Sequence, residues 1–151
     1  MRLGWIFSLL MLSACSSKTM IEQFYTSCAS KSCILDFRNW NEIEGTDLYY
    51  FPEQIESKEI SNTIGQKFEK DREFACTVIV MNGHKITHVE YWNYEPENSH
   101  GVTFSSQFRN ESQHFDLTKT IFELHELPKS NIIVMEPKML SEASERQDIE
   151  N

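Results

Sequence analysis

Glycine is scarce, five in 151 residues, and no two of the five stand close together. A chain without a glycine-rich run offers no backbone cradle for phosphate and cannot be collagen. Positive charge is short too: 14 Lys+Arg stand against 23 Asp+Glu, a formal charge of −9. That balance disfavours nucleic acid, whose phosphates would be repelled, and an electrostatic grip on anionic lipid. No apolar run reaches the ~20 residues of a membrane-spanning helix. A nucleophile elbow, a zinc-protease helix and a dinucleotide fingerprint are all missing. What remains is 40% hydrophobic and 25% charged, the make-up of one ordinary globular domain rather than a coiled coil or an acidic disordered tail.

The N-terminus carries the strongest signal. Arg2 precedes an apolar run from Leu3 to Leu12, and the small residues Ser13 and Ala14 lead into Cys15. These are the n-region, h-region and cleavage site of a secretory leader. Leu12-Ser13-Ala14-Cys15 resembles the lipobox of bacterial lipoproteins. The resemblance implies lipidation of the Cys15 thiol, cleavage after Ala14 and acylation of the new amino terminus. Two or more acyl chains hold stably where a single one does not. Ser16, rather than Asp, follows the cysteine, so the resemblance favours the periplasmic face of the outer membrane over the inner membrane. The competing readings are an ordinary leader with an incidental cysteine and a buried N-terminal helix.

With Cys15 assigned to lipid, Cys28, Cys33 and Cys76 remain, enough for one disulfide and one leftover thiol. Cys28 and Cys33 are the nearest pair, separated by small and polar residues, and an oxidising periplasm suits the bridge. Cys76, among Ala75, Thr77, Val78 and Ile79, reads as a buried inert thiol, with a bridge to Cys28 or Cys33 as the alternative.

Along the chain, residues 1–14 form the leader, 15–19 the lipidated cysteine and a tether, 20–137 one α+β domain, and 138–151 an acidic tail expected to fray. Ile21, Phe24, Tyr25 and Cys28 fall at helical spacing behind a Thr19/Glu22 capping box. Ile34–Phe37 and Asp47–Pro52 read as strands, and Ser57 opens a helix that Gly65 ends. Ala75–Met81 and Lys85–Tyr94 flank Asn82-Gly83, the preferred centre of a type I′ hairpin. Val102 to Phe108 alternates as a strand, and so does Ile132–Met135. Asp116–Leu127 fits helix or strand. The expected fold is a mainly antiparallel sheet with two or three helices on one face. Trp40, Tyr49, Phe51, Phe74, Tyr91 and Phe104 are its expected large core residues. The stretch from Asp47-Leu-Tyr-Tyr-Phe-Pro-Glu through Ile64-Gly65 to the hairpin resembles small enterobacterial envelope lipoproteins of the YfjS/YafY type, which implies a lipid-anchored envelope protein.

Chemistry is sparse. On a strand, His84, His88 and Glu90 would share one face, the weak outline of a metal site against the default of a polar hairpin edge. His100, His114 and His125 lie in separate elements. Tyr91, Trp92 and Tyr94 occupy both faces of one strand, so at least one is a candidate binding anchor. No cofactor is expected. The favoured function is non-enzymatic binding of another envelope component, with the membrane reached through the N-terminal lipid. The alternative is a small hydrolase acting on an envelope polymer through acidic residues or the His84/His88/Glu90 face.

Overall fold

The computed structural model describes residues 18–30, 32–93 and 100–140. Among them are two helices and eight strands: α1 (Met20–Ser27), β1 (Ser32–Leu35), β2 (Asp47–Phe51), α2 (Ser57–Ile64), β3 (Cys76–Asn82), β4 (Lys85–Trp92), β5 (His100–Phe104), β6 (Gln113–Asp116), β7 (Thr120–Glu126) and β8 (Asn131–Met139). The fold is α+β and mostly β. In place of one sheet there are two of four strands, ordered β1-β7-β8-β5 and β4-β3-β2-β6. Every pairing is antiparallel except β5 with β8.

The period of two along the strands explains the layering. In β2 and β3, Leu48, Tyr50, Val78 and Val80 point into a core shared with Leu35, Phe104, Phe122, Leu124 and Met135 of the other sheet. Their neighbours Phe51, Ile79 and Met81 point the opposite way, where Ile60 and Ile64 of α2 cover them. The central strands are thus buried on both faces, which is why β3 reads as an almost unbroken apolar run. Phe104 is the hub of the inner core, with its ring against Tyr50, Trp92, Phe115 and Phe122.

Helix α1 begins at its expected capping box. The Thr19 hydroxyl accepts from the Glu22 N–H at 3.2 Å, and the Glu22 carboxylate accepts from the Thr19 N–H at 2.7 Å. Met20 and Ile21 enter the inner core, and Phe24 meets Trp40 edge-on. Helix α2 ends at Gly65, whose φ of 74° is a left-handed cap that glycine adopts without a Cβ penalty.

Three expectations are corrected, and one left open between helix and strand is resolved. The hairpin pairs Asn82 with Lys85, so its turn residues are Gly83 and His84. Gly83 takes φ 60° and His84 is not in the left-handed region, the glycine-first pattern of a type II′ turn rather than I′. Asp116–Leu127 is a turn followed by strand β7, because pairing to both β1 and β8 outweighs its helical spacing. Strand β8 continues through Pro137 to Met139, into the segment expected to fray. Proline is tolerated there because β5 pairs with β8 only as far as Met135, leaving that flank of β8 without a ladder partner among the described residues. Phe74, expected in the core, is 86% exposed.

Cys28 and Cys33 are joined as a disulfide, with Cα atoms 6.3 Å apart, and Cys76 is free. The bridge closes a loop of only six residues, so its chain-entropy contribution is about 2 kcal/mol. That is small beside the ~5–15 kcal/mol of a typical domain.

Among the described residues, Thr77 Oγ1, His88 Nε2 and Ser105 Oγ are buried without a hydrogen-bond partner, and of the three only Thr77 is a buried residue. Thr77, paired between Phe51 and Tyr91, is fully buried, and its hydroxyl has no hydrogen-bond partner. Thr77→Val keeps the shape and removes the orphan, so urea unfolding should show a gain of about 1 kcal/mol. A loss of that size would mean the hydroxyl is satisfied after all.

Candidate functional site

Two adjoining clefts, of about 470 and 630 Å³, meet at Phe74. Tyr50, Cys76 and Trp92 lie along the first, with Glu53, Gln54 and Arg109 at its border. The second runs over Ile55, Ser57, Lys58 and Lys70. Local sequence accounts for the shape. Pro52 ends β2, and the Ile55 N–H returns to its carbonyl at 3.1 Å, making a tight entry to α2. The segment before β3 is pinned to that entry. The Lys70 N–H donates to the Ser57 hydroxyl at 2.9 Å, and the Lys70 ammonium donates to the carbonyls of Glu53 at 2.7 Å and Glu73 at 3.2 Å. Partial burial pulls the Lys70 pKa below its ordinary value. Phe74 is therefore held out into solvent by a fixed turn.

At the floor, the Tyr50 hydroxyl donates to the Arg109 carbonyl at 2.8 Å and lies 3.3 Å from the Cys76 sulfur. Burial pushes the Tyr50 phenol well above its usual range. Burial also raises the Cys76 thiol, although the Tyr50 hydrogen bond opposes this in part. A thiol held protonated is a poor nucleophile.

Two polar groupings lie elsewhere. Glu90 is 13% exposed at its side chain, and both its oxygens are engaged. One accepts from the Met20 N–H at 2.5 Å, at the first turn of α1, and the other from the Trp92 indole at 2.9 Å. The carboxylate thus meets the positive end of the helix dipole. His88 Nε2 stands 3.5 Å from Glu90, near enough for charge pairing yet too poorly aligned for a hydrogen bond. On the outer face of the second sheet, His114 Nε2 is 2.7 Å from Asp47, and its ring stacks on Tyr49 at 4.5 Å.

The candidates read from sequence separate in space. His84 sits in the exposed hairpin turn, its carbonyl accepting from Gln66, while Thr87 forms a bulge that breaks the period linking it to His88. His88 and Glu90 do meet. Among the described residues, no three His, Cys, Asp or Glu side chains form a group that could hold a metal. Trp92 is 1% exposed and belongs to the inner core, so it is not a surface anchor. Tyr91 is half-buried, its hydroxyl accepting from the Asp71 N–H at 2.9 Å and its ring lying under Arg72. Cys15 and Tyr94 lie outside the described residues. Two features escaped the sequence reading. Phe74 had one signal, an aromatic isolated behind the Glu69–Glu73 charge run. The Asp47–His114 pair had none, since 67 residues separate its members.

Comparison with protein-family models, curated proteins and solved structures finds no match. Among the described residues, no helix is long and apolar enough to cross a membrane.

The raised Cys76 thiol fixes a pH dependence. Below the unfolded thiol's pKa both states are protonated and the full stability is present. As pH rises past that value the unfolded state ionises first, and stability falls until the folded thiol also ionises. Alkylation rate against pH should therefore give a higher midpoint for folded Cys76 than for the same thiol in urea. Equal midpoints would show that burial does not protect it.

Proposed function

We propose that this is a lipid-anchored envelope protein, held through Cys15 at the periplasmic face of the outer membrane, that works by binding another envelope component at the Phe74 clefts. The lipobox-like Leu12–Cys15 supports the anchor. The observation that carries the binding site is Phe74, 86% exposed on the shared rim of two clefts. A large aromatic held in water by a pinned turn contributes little to folding, whereas buried at an interface it is a strong anchor.

The hydrolase alternative has less support. Its face of His84, His88 and Glu90 is divided by the bulge, and Glu90 is occupied by Met20 and Trp92. Cys76, the one free thiol among the described residues, is held protonated by burial. That chemistry supports the binding reading over the hydrolase one.

Two variants test the reading separately. Cys15→Ser should move the protein from the membrane to the soluble periplasmic fraction and abolish acyl labelling. Phe74→Ala should leave stability within about 0.5 kcal/mol, since the side chain is exposed. A photo-crosslinker at position 74 should capture a discrete envelope protein, and one at exposed Lys67 should not. Equal yields at the two positions would remove the clefts as a binding site, and unchanged fractionation of Cys15→Ser would remove the anchor.

A further inference from the structure

We infer that the cleft between the start of α1 and β4 is a phosphate-ester site, and that it seats the phosphodiester of one membrane phospholipid beside the anchor. Its volume is about 260 Å³, and Lys18, Thr19, Arg72, His88, Glu90 and Tyr91 line it. That is smaller than the ~300–1,000 Å³ of pockets for larger ligands, and leaves room for one headgroup. The walls come from three stretches of chain far apart in sequence, so no local motif marks the site.

Two of the lining side chains are cations without a carboxylate partner. Arg38, Lys67, Lys119 and Lys138 each pair with an acid. Among the described residues neither Lys18 nor Arg72 does, in a chain with 23 Asp+Glu. Arg72 lies over the Tyr91 ring at 5.9 Å, and the Tyr91 hydroxyl is held by the Asp71 N–H at 2.9 Å. Stacking engages the face of a guanidinium and leaves its N–H edge to donate, and that planar fork matches two oxygens of a phosphate. The Lys18 ammonium reaches the Thr26 hydroxyl only at 3.5 Å, the outer limit of a hydrogen bond. Both side chains are exposed, so they can close on a ligand without disturbing either core.

The acidic side of the cleft is already committed. Glu90 takes the Met20 N–H on one oxygen and the Trp92 indole on the other, and His88 Nε2 faces that carboxylate at 3.5 Å. The Thr19 and Glu22 N–H groups close the capping box, so the site rests on side chains rather than on the helix end. With His88 neutral, two cations against this one carboxylate leave a single positive charge. A phosphodiester carries one negative charge and balances it, whereas a doubly charged free phosphate would leave the cleft negative. Position selects the source. Under the proposed anchor Lys18 is three residues from Cys15, at most about 11 Å of chain, which brings the cleft to the headgroup layer. Repulsion between the acidic body and anionic lipid is screened over ~8 Å, while a phosphate in the cleft meets Lys18 and Arg72 directly.

The test titrates the purified full chain, in a maltoside detergent that contains no phosphate, with dihexanoyl phosphatidylglycerol, dihexanoylglycerol or inorganic phosphate. Backbone amide and Arg72 Nε–H shifts are followed by NMR. The phospholipid should give saturable shifts at Thr19, Arg72 and Tyr91, about tenfold tighter than either the phosphate-free lipid or inorganic phosphate. Arg72→Gln should weaken binding about tenfold and Lys18→Gln about threefold. Lys67→Gln, at a lysine paired with Glu69, should leave it unchanged, and the amide spectrum away from the cleft reports that each variant is folded. Equal affinity for inorganic phosphate would overturn the headgroup assignment. Equal affinity for dihexanoylglycerol would overturn phosphate recognition, and a lack of saturable shifts at the cleft would overturn the site. The placement beside the membrane rests on the proposed anchor and the titration does not, so a failed titration leaves the anchor standing and unchanged fractionation of Cys15→Ser leaves the cleft standing.

Discussion

The rest of the structure depends on β2 and β3 being buried on both faces at once. Alternate side chains serve two different cores: Tyr50 and Val78 face the second sheet, Phe51 and Ile79 face α2. A slip of one residue would exchange the two sets, putting Tyr50 under the helix and Phe51 between the sheets. Each large apolar side chain contributes roughly 1.5–3 kcal/mol through burial, so the register is defended from both directions. Irregularity is consequently confined to the periphery. The bulge at Thr87 falls on edge strand β4, and Pro137 falls where β8 has lost one partner strand.

Local signals in the sequence translated well, and non-local ones did not. The Thr19/Glu22 box, the Gly65 stop, strand β2 and the existence of the hairpin each rest on a few neighbouring residues. The first three are where spacing and capping put them, and the hairpin is present with its turn one residue later. The division into two sheets was not legible, because the parallel pairing of β5 with β8 joins segments about thirty residues apart with no local mark. Asp116–Leu127 shows why: Leu117, Ile121 and Leu124 satisfy a helical period, but Thr120, Ile121 and Phe122 are consecutively buried between strands. Phe74 failed for a different reason. Aromatic character predicts burial on average, and only the bonds from Lys70 and Ser57 reveal a turn that holds this ring outward.

The candidate site is built from loops and rim, and the titratable groups nearby are spent on structure. Lys70 ties down two carbonyls, Tyr50 satisfies a third, and away from the clefts Glu90 accepts from a helix terminus and an indole. Groups bonded in this way are poor acids, bases or nucleophiles, because reacting would leave a partner unsatisfied. Such wiring favours a fixed surface over a reactive one. The clefts offer shape and one exposed ring, which is what the proposed binding role calls for.

The proposed anchor changes how strong such recognition must be. From Cys15 to Thr19 is four residues, a span of at most about 14 Å when fully extended. A domain moored that closely meets membrane-associated partners at an effective concentration near the millimolar range. Weak contacts suffice under those conditions, and an open cleft with a single aromatic anchor is adequate where a free periplasmic protein would need a larger buried interface. Under that proposal α1, which opens at Met20, is the first described element on the anchored side. A pull on the proposed lipid would reach the fold at Met20, whose N–H is bonded to Glu90 and whose side chain lies in the inner core. At that end hydrogen bonds and the buried side chains of Met20 and Ile21 hold the helix to the inner core, while the covalent link lies at the far end, on Cys28.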